Sequence, residues 1–336
     1  MRKLLRWVVL GLLAVVAVAG VFVLYLFLRP PKMAPPSAVR VEITPARLER
    51  GKHIVEIVSD CFGCHAQRDL TRFDAPVIRG TEGSGIGPMP LKGLPGDIEV
   101  PNITPDKETG IGTWTDGEII RAIREGVDKD GRTLFPMMPY PSYRFMSDED
   151  VYSVVAYLRS LPPIRKQHPQ TKVDFPVNLF IKSAPAPAGH VPEPNRGDKL
   201  AYGKYLATIA DCEECHTQEV KGQRVAGKEF AGGRLFETPG GASVYTANIT
   251  PEKDTGIGVW TEQRFIQKMR SYLPYAEGES PKVGPESFTL MPWLNLCRLS
   301  DEELSAIYAY LRTIPPVYNS VEKHKFPEAT PGAGGP

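Results

Sequence analysis

The chain has 336 residues, 42% of them apolar, with 40 Lys and Arg against 39 Asp and Glu and a formal charge of +1. That length suffices for two domains with cores of their own, and 33 Pro with 31 Gly predict short helices between long irregular loops in place of continuous sheets. No basic stripe with interleaved aromatics is present, which argues against nucleic-acid binding; the charge is instead asymmetric, because Arg2, Lys3, Arg6, Arg29 and Lys32 precede the first acid, Glu42, leaving 35 basic against 39 acidic side chains beyond Lys32.

Residues 8–28 are 21 consecutive uncharged, almost wholly apolar positions, enough for a helix across a bilayer core. Arg2, Lys3 and Arg6 before them place the N-terminus in the cytoplasm and export the rest. Ala17-Val18-Ala19 resembles a signal cleavage site, but cutting there leaves an apolar new terminus, so residues 1–29 read as a retained anchor. Residues 30–45, rich in Pro, read as a semi-rigid spacer. Thr44-Pro45 then caps a helix running through Gly51 toward Cys61.

Two motifs organise the remainder, Cys61-Phe62-Gly63-Cys64-His65 and Cys212-Glu213-Glu214-Cys215-His216. Two thiols on one helical turn can each add across a vinyl group of a haem, and the histidine that follows then lies under the iron. The competing readings are a short-loop disulfide, a redox pair or half a zinc site. A zinc site needs further paired Cys or His nearby, and a thioredoxin-like site needs a βαβ setting; the sequence has neither. The fifth cysteine, Cys297, reads as a buried free thiol.

The chain between and around the motifs is duplicated. The segment from Asn102-Ile103-Thr104-Pro105 through Thr109-Gly110-Ile111-Gly112 to Trp114 recurs nearly unchanged from Asn248 to Trp260. Gly83-Ser84-Gly85-Ile86-Gly87 is a weak phosphate-cradle pattern, since no strand precedes it and Pro88 and Pro90 follow. Capping-box patterns at Thr115, Ser147 and Ser300 open helices, and the last two stop at Pro162-Pro163 and Pro315-Pro316.

An iron with one histidine keeps an open face, and what fills it separates electron transfer from catalysis. Met138-Pro139 and Met291-Pro292 stand at matching places just before the last helix of each repeat, which marks Met138 and Met291 as axial ligands; Met137 is the rival at the first site. His53 falls where the other copy has Tyr205 and reads as packing, while His168, His190 and His324 read as solvated. Gly51 and Gly203 predict close helix crossings beside Tyr157 and Tyr310. Trp114 and Trp260 either donate an indole N–H to a haem propionate or pack in the core. Glu213 and Glu214 predict a more acidic edge at the second site and unequal potentials.

On these motifs the chain resembles class I cytochrome c domains in tandem, and more closely the membrane-associated cytochrome c subunits of periplasmic alcohol, aldehyde and gluconate dehydrogenases. It differs from those subunits in having two motifs where they carry three, and in its retained N-terminal helix. The resemblance implies an all-α fold of short helices wrapped around two covalently bound haem c groups, ligated by His65 with Met138 and by His216 with Met291. The expected organisation is an anchor (1–29), a spacer (30–45), domain 1 (46–165), a linker (166–196), domain 2 (197–318) and a disordered tail (319–336). The implied role is single-electron transfer in the periplasm at a bacterial inner membrane, from a dehydrogenase or quinol-oxidising complex to a soluble cytochrome or oxidase. A dihaem peroxidase or a haem-based sensor is the alternative.

Overall fold

A computed structural model describes residues 2–220, 222–237 and 243–325. The first helix, α1 (Arg2–Leu28), has a mean hydropathy of 2.8 and none of its residues is buried by the rest of the chain. Domain 1 follows with α2 (Pro45–His53), α3 (Cys61–His65), α4 (Asp116–Glu125), α5 (Tyr140–Tyr143) and α6 (Asp148–Ser160). A short α7 (Val177–Phe180) leads to domain 2, which comprises α8 (Lys199–Ile209), α9 (Cys212–Cys215), α10 (Glu262–Arg270), α11 (Leu273–Glu277), α12 (Trp293–Leu296) and α13 (Asp301–Leu311).

The expected helix from Thr44 does not run unbroken to Cys61. Thr44 caps α2 through Arg47 N, but a π-helical turn at Ile54–Val58 and Ser59 intervene before α3. Thr115 and Ser300 form full capping boxes with Glu118 and Glu303. At Ser147 the side chain accepts from Asp150 N without the return bond, because the Asp150 carboxylate is taken by Arg50 at 2.7 and 2.8 Å.

The chain is largely helical, and it departs from the expected all-α fold in nine strands of two or three residues among the described residues. Ile86–Pro88 pairs with Glu99–Val100, and Gly96–Asp97 with Lys172–Val173. In domain 2, Glu219–Val220 pairs with Gln223–Arg224, and Ser243–Tyr245 lies between Leu235–Glu237 and His324–Lys325. Glycine-rich loops doubling back on themselves pair locally, yet they are too short to add a layer.

Residues 166–196 run back along domain 1. Lys166 N donates to Thr109 Oγ1 (2.9 Å), Arg124 to the Gly189 carbonyl (2.7 Å) and Asp148 N to the Val191 carbonyl (2.9 Å). His168 is therefore not simply solvated, since its Nε2 bonds the Ser84 carbonyl at 2.8 Å. His190 is exposed and pairs with Asp148. At the other end, Asn319 donates to the Ala231 carbonyl (2.9 Å), and His324 Nε2 bonds the Phe288 carbonyl (2.9 Å). These contacts correct the reading of His324 as solvated and hold residues 319–325 against domain 2; residues 326–336 lie outside the described residues.

Each domain is built on one close crossing, α2 over α6 and α8 over α13. A Cβ on Gly51 would run into the Ser153 carbonyl and come within 2.7 Å of Tyr157 Cβ, while one on Gly203 would run into the Ala306 carbonyl. Ser153 and Ala306 are equivalent in the two repeats, so each crossing depends on one absent side chain at one place. Tyr310 of the second crossing meets the Phe230 ring edge-on at 6.1 Å. Gly51→Ala and Gly203→Ala should each cost about 1–3 kcal/mol or more, the range for overpacking a core. Thermal unfolding of the purified holo-variants checks this; unchanged melting temperatures would contradict the crossing.

Candidate haem-attachment sites

The same backbone device precedes each Cys-x-x-Cys-His turn. Asp60 (φ 43°) and Asp211 (φ 56°) hold the left-handed region that most L-residues avoid, so the incoming helix stops and a new turn begins at the first cysteine. Asp60 also accepts from Gly63 N at 3.1 Å, tying the turn down. Neither pair of motif cysteines is joined as a disulfide. Desolvation of the thiolate raises Cys61 and Cys212 to about 12 and Cys64 to about 11, whereas Cys215 is exposed. Among the described residues, no three His, Cys, Asp or Glu side chains converge as a zinc site would require.

Each histidine is buried and has one nitrogen engaged. His65 Nδ1 donates to the Pro101 carbonyl (2.8 Å), and His216 Nδ1 donates to the Ala247 carbonyl (2.7 Å). A carbonyl only accepts, so the proton sits on Nδ1 and Nε2 keeps its lone pair. Burial lowers both pKa values from the usual histidine range, favouring the neutral ring.

The two carbonyls explain the duplicated segment that follows them. Asn102 Nδ2 donates to Thr109 Oγ1 (3.1 Å) and the Ile164 carbonyl (2.7 Å), and its Oδ1 accepts from Thr104 N (2.9 Å) and Oγ1 (2.7 Å). Asn248 repeats this with Thr255, Val317 and Thr250. The asparagine thus fixes a loop whose preceding carbonyl aims the imidazole. On the other side, Gly85 N donates to the His65 carbonyl (2.9 Å) and Gly232 N to the His216 carbonyl (2.6 Å). Both glycines have positive φ, 73° and 72°, and a Cβ on either would strike the backbone at Pro101 or Ala247. Gly85, within the glycine run, serves this close approach.

Met138 and Met291 are half-buried against the core in matching local geometry. Tyr140 N bonds the Met138 carbonyl and Trp293 N the Met291 carbonyl, both at 2.7 Å, so each methionine leads through a proline into a one-turn helix, α5 or α12. Met146 and Met269 are core residues, 1% and 7% exposed. Trp114 and Trp260 are half-buried against the same core, with Arg264 over the Trp260 ring. Cys297 is fully buried, with Sγ toward the Leu294 carbonyl.

The repeats brace one another through equivalent residues. Ser142, four positions after Met138, donates to Asp211 Oδ1 (2.5 Å), and Asn295, four after Met291, donates to Asp60 Oδ1 (3.0 Å) and the Glu56 carbonyl (2.6 Å). His53 is not a packing residue as expected: its Nε2 bonds Glu303 at 2.7 Å, while its counterpart Tyr205 donates to Asp150 at 2.5 Å. These contacts are reciprocal between domains, so the pair has an approximate two-fold relation that places each Cys-x-x-Cys-His turn against the helix following the other domain's methionine.

The expected acidic edge at the second motif is neutralised. Arg224 pairs with both Glu213 and Glu214, and Arg234 pairs with Glu214. The aspartate immediately before both motifs, Asp60 and Asp211, is the readable signal of this shared turn. Ser142 and Asn295 carried no signal, being unlike residues whose shared role appears only in the fold.

The donor set in each domain fits a haem: two unbridged thiols one turn apart, an imidazole presenting Nε2, and a thioether at matched register. The sequence profile of the family described as Cytochrome c matches residues 48–162 and 200–315. The cytochrome c subunit of alcohol dehydrogenase (quinone) from Gluconobacter oxydans (strain 621H) is 29% identical over 285 residues, 81% of this chain and 55% of that protein. The fructose dehydrogenase cytochrome subunit of Gluconobacter japonicus is 30% identical over 307 residues, 85% of this chain and 55% of that protein. This chain therefore spans little more than half the length of those subunits. A diheme cytochrome c-type protein of Cereibacter sphaeroides is 30% identical over 314 residues, 91% of this chain and 97% of that protein. The chain belongs to the cytochrome c family, one such domain in each half, and carries two haem c groups.

Proposed function

We propose that this chain is a membrane-anchored carrier of single electrons on the exported side of a bacterial inner membrane, taking them from a dehydrogenase or quinol-oxidising complex and delivering them to a soluble cytochrome or oxidase. The observation that carries the reading is the duplication of one complete donor set in two mutually braced domains. The relatives named as dehydrogenase subunits support a dehydrogenase as donor. The long apolar α1 supports the anchor, with the N-terminus on the cytoplasmic side by its basic flank.

When bound, each haem supplies a one-electron couple. Cys61 with Cys64, and Cys212 with Cys215, hold it covalently. His65 and His216 offer Nε2, kept in orientation by the Pro101 and Ala247 carbonyls. Met138 and Met291 would offer a thioether as the second protein ligand, which would occupy the position that peroxide chemistry needs open. Trp114 and Trp260 stand at equivalent places for an indole bond to a propionate. The chain's own contribution is thus to fix ligands, exclude water and hold the two sites together; no bound substrate is transformed.

Met138→Ala and Met291→Ala should each remove about half of the near-infrared methionine-to-iron band of the oxidised protein, the double variant all of it. A full band in either single variant would exclude that residue as ligand. The two arginines over the second motif generate a separate expectation. In Arg224→Gln/Arg234→Gln, Glu213 and Glu214 lose their compensation, and uncompensated negative charge favours the oxidised haem. One wave of a redox titration should move to lower potential while the other stays; two unmoved waves would show that these charges do not reach the haem.

A further inference from the structure

The exit of α1 is fastened to a segment about 150 residues further along the chain. Arg29 donates from Nη2 to the Ser183 hydroxyl and the Leu179 carbonyl, and Lys182 Nζ donates to the Phe27 carbonyl (2.6 Å) and the Arg29 carbonyl (3.4 Å). The same ammonium lies 5.7 Å from the centre of the Phe27 ring. Lys182 thus satisfies carbonyls that the end of α1 leaves open and complements the negative end of its dipole.

These bonds fix the depth of the segment. The 21 uncharged residues of 8–28, at ~1.5 Å rise each, span roughly 31 Å, matching a hydrocarbon core of about 30 Å. Leu28 therefore ends at the hydrocarbon boundary and Arg29 lies among the headgroups. Leu179, Lys182 and Ser183, bonded to positions 27 and 29, stand at the same level and carry the short stretch 175–183 with them. Within them Leu179 is buried (3% exposed), whereas Phe175 and Phe180 are 70% and 61% exposed. Two exposed phenylalanines in a segment fastened to the end of the apolar α1 through Arg29 and Lys182 have the make-up of an interfacial membrane contact, apolar rings for the acyl boundary and cations at the headgroup level.

We propose that residues 175–183 form a second membrane contact, with Phe175 and Phe180 entering the lipid surface, so that domain 1 is seated on the bilayer and not suspended above it by the Pro-rich spacer. This rests on the reading of α1 as a membrane anchor. It gives the haem domains a set orientation on the membrane, since residues 166–174 and 184–191 are in turn bonded along domain 1.

The test uses the full-length holo-protein in nanodiscs of phosphatidylcholine and phosphatidylglycerol containing a lipid with a diazirine in its acyl chain. After irradiation and digestion, mass spectrometry should find lipid adducts on α1 and on the peptide bearing Phe175 and Phe180. In Phe175→Ser/Phe180→Ser the second set should fall at least fivefold with the α1 adducts unchanged; both side chains are exposed, so folding is not at risk. Adducts on α1 alone, in the wild type, would overturn the proposal while leaving the anchor intact, and would assign the phenylalanine pair to a protein partner or to water. Adducts on neither would overturn both readings.

Discussion

The arrangement depends on an aspartate held with left-handed backbone immediately before each first cysteine. Asp60 and Asp211 end one helix, start the turn that carries both thiols and the histidine, and are half-buried, with carboxyls pushed up to about 6 and about 7 by desolvation. A carboxyl drawn out of water needs partners. The partner comes from the other domain in both cases: Asn295 for Asp60, Ser142 for Asp211. The residue that shapes each attachment turn is therefore also the residue through which the domains grip one another, and neither turn is complete within its own repeat.

The bracing follows the duplication closely. His53 and Tyr205 are equivalent, as are Asp150 and Glu303, and each ring reaches the acid at the start of the other domain's last helix. The acids have other duties as well, Asp150 toward Arg50 and Glu303 in its capping box. The loop after the first motif adds to the contact, with Phe73 N bonded to the Pro281 carbonyl (2.8 Å) and its ring stacked on Tyr272 at 5.3 Å. Two copies of a fold packed this way behave as an isologous pair within one chain. Unlike side chains at equivalent places, His against Tyr and Ser against Asn, show that the copies diverged while keeping the contact.

Local chemistry was legible before the fold. The two Cys-x-x-Cys-His turns, the capped helices ending at Pro-Pro and the glycine crossings are short-range patterns, and the repeat made each a matched pair. What stayed hidden depends on tertiary partners. The asparagine segment was visible as a repeat, but its task is to place the carbonyl before it, and a carbonyl belongs equally to Pro101 and Ala247. His168 and His324 looked solvated because the carbonyls they bond are distant in sequence. Glu213 and Glu214 looked like an acidic edge because Arg224 and Arg234 return to them only through a folded loop.

The two domains are joined by reciprocal, half-buried bonds between equivalent residues. Rapid reduction of a sub-stoichiometric fraction of the holo-protein, followed optically, tests this most directly. Redistribution of electrons between the two haems should proceed at a rate independent of protein concentration. A rate proportional to concentration would mean that exchange occurs between molecules, and that the bracing does not join the two sites.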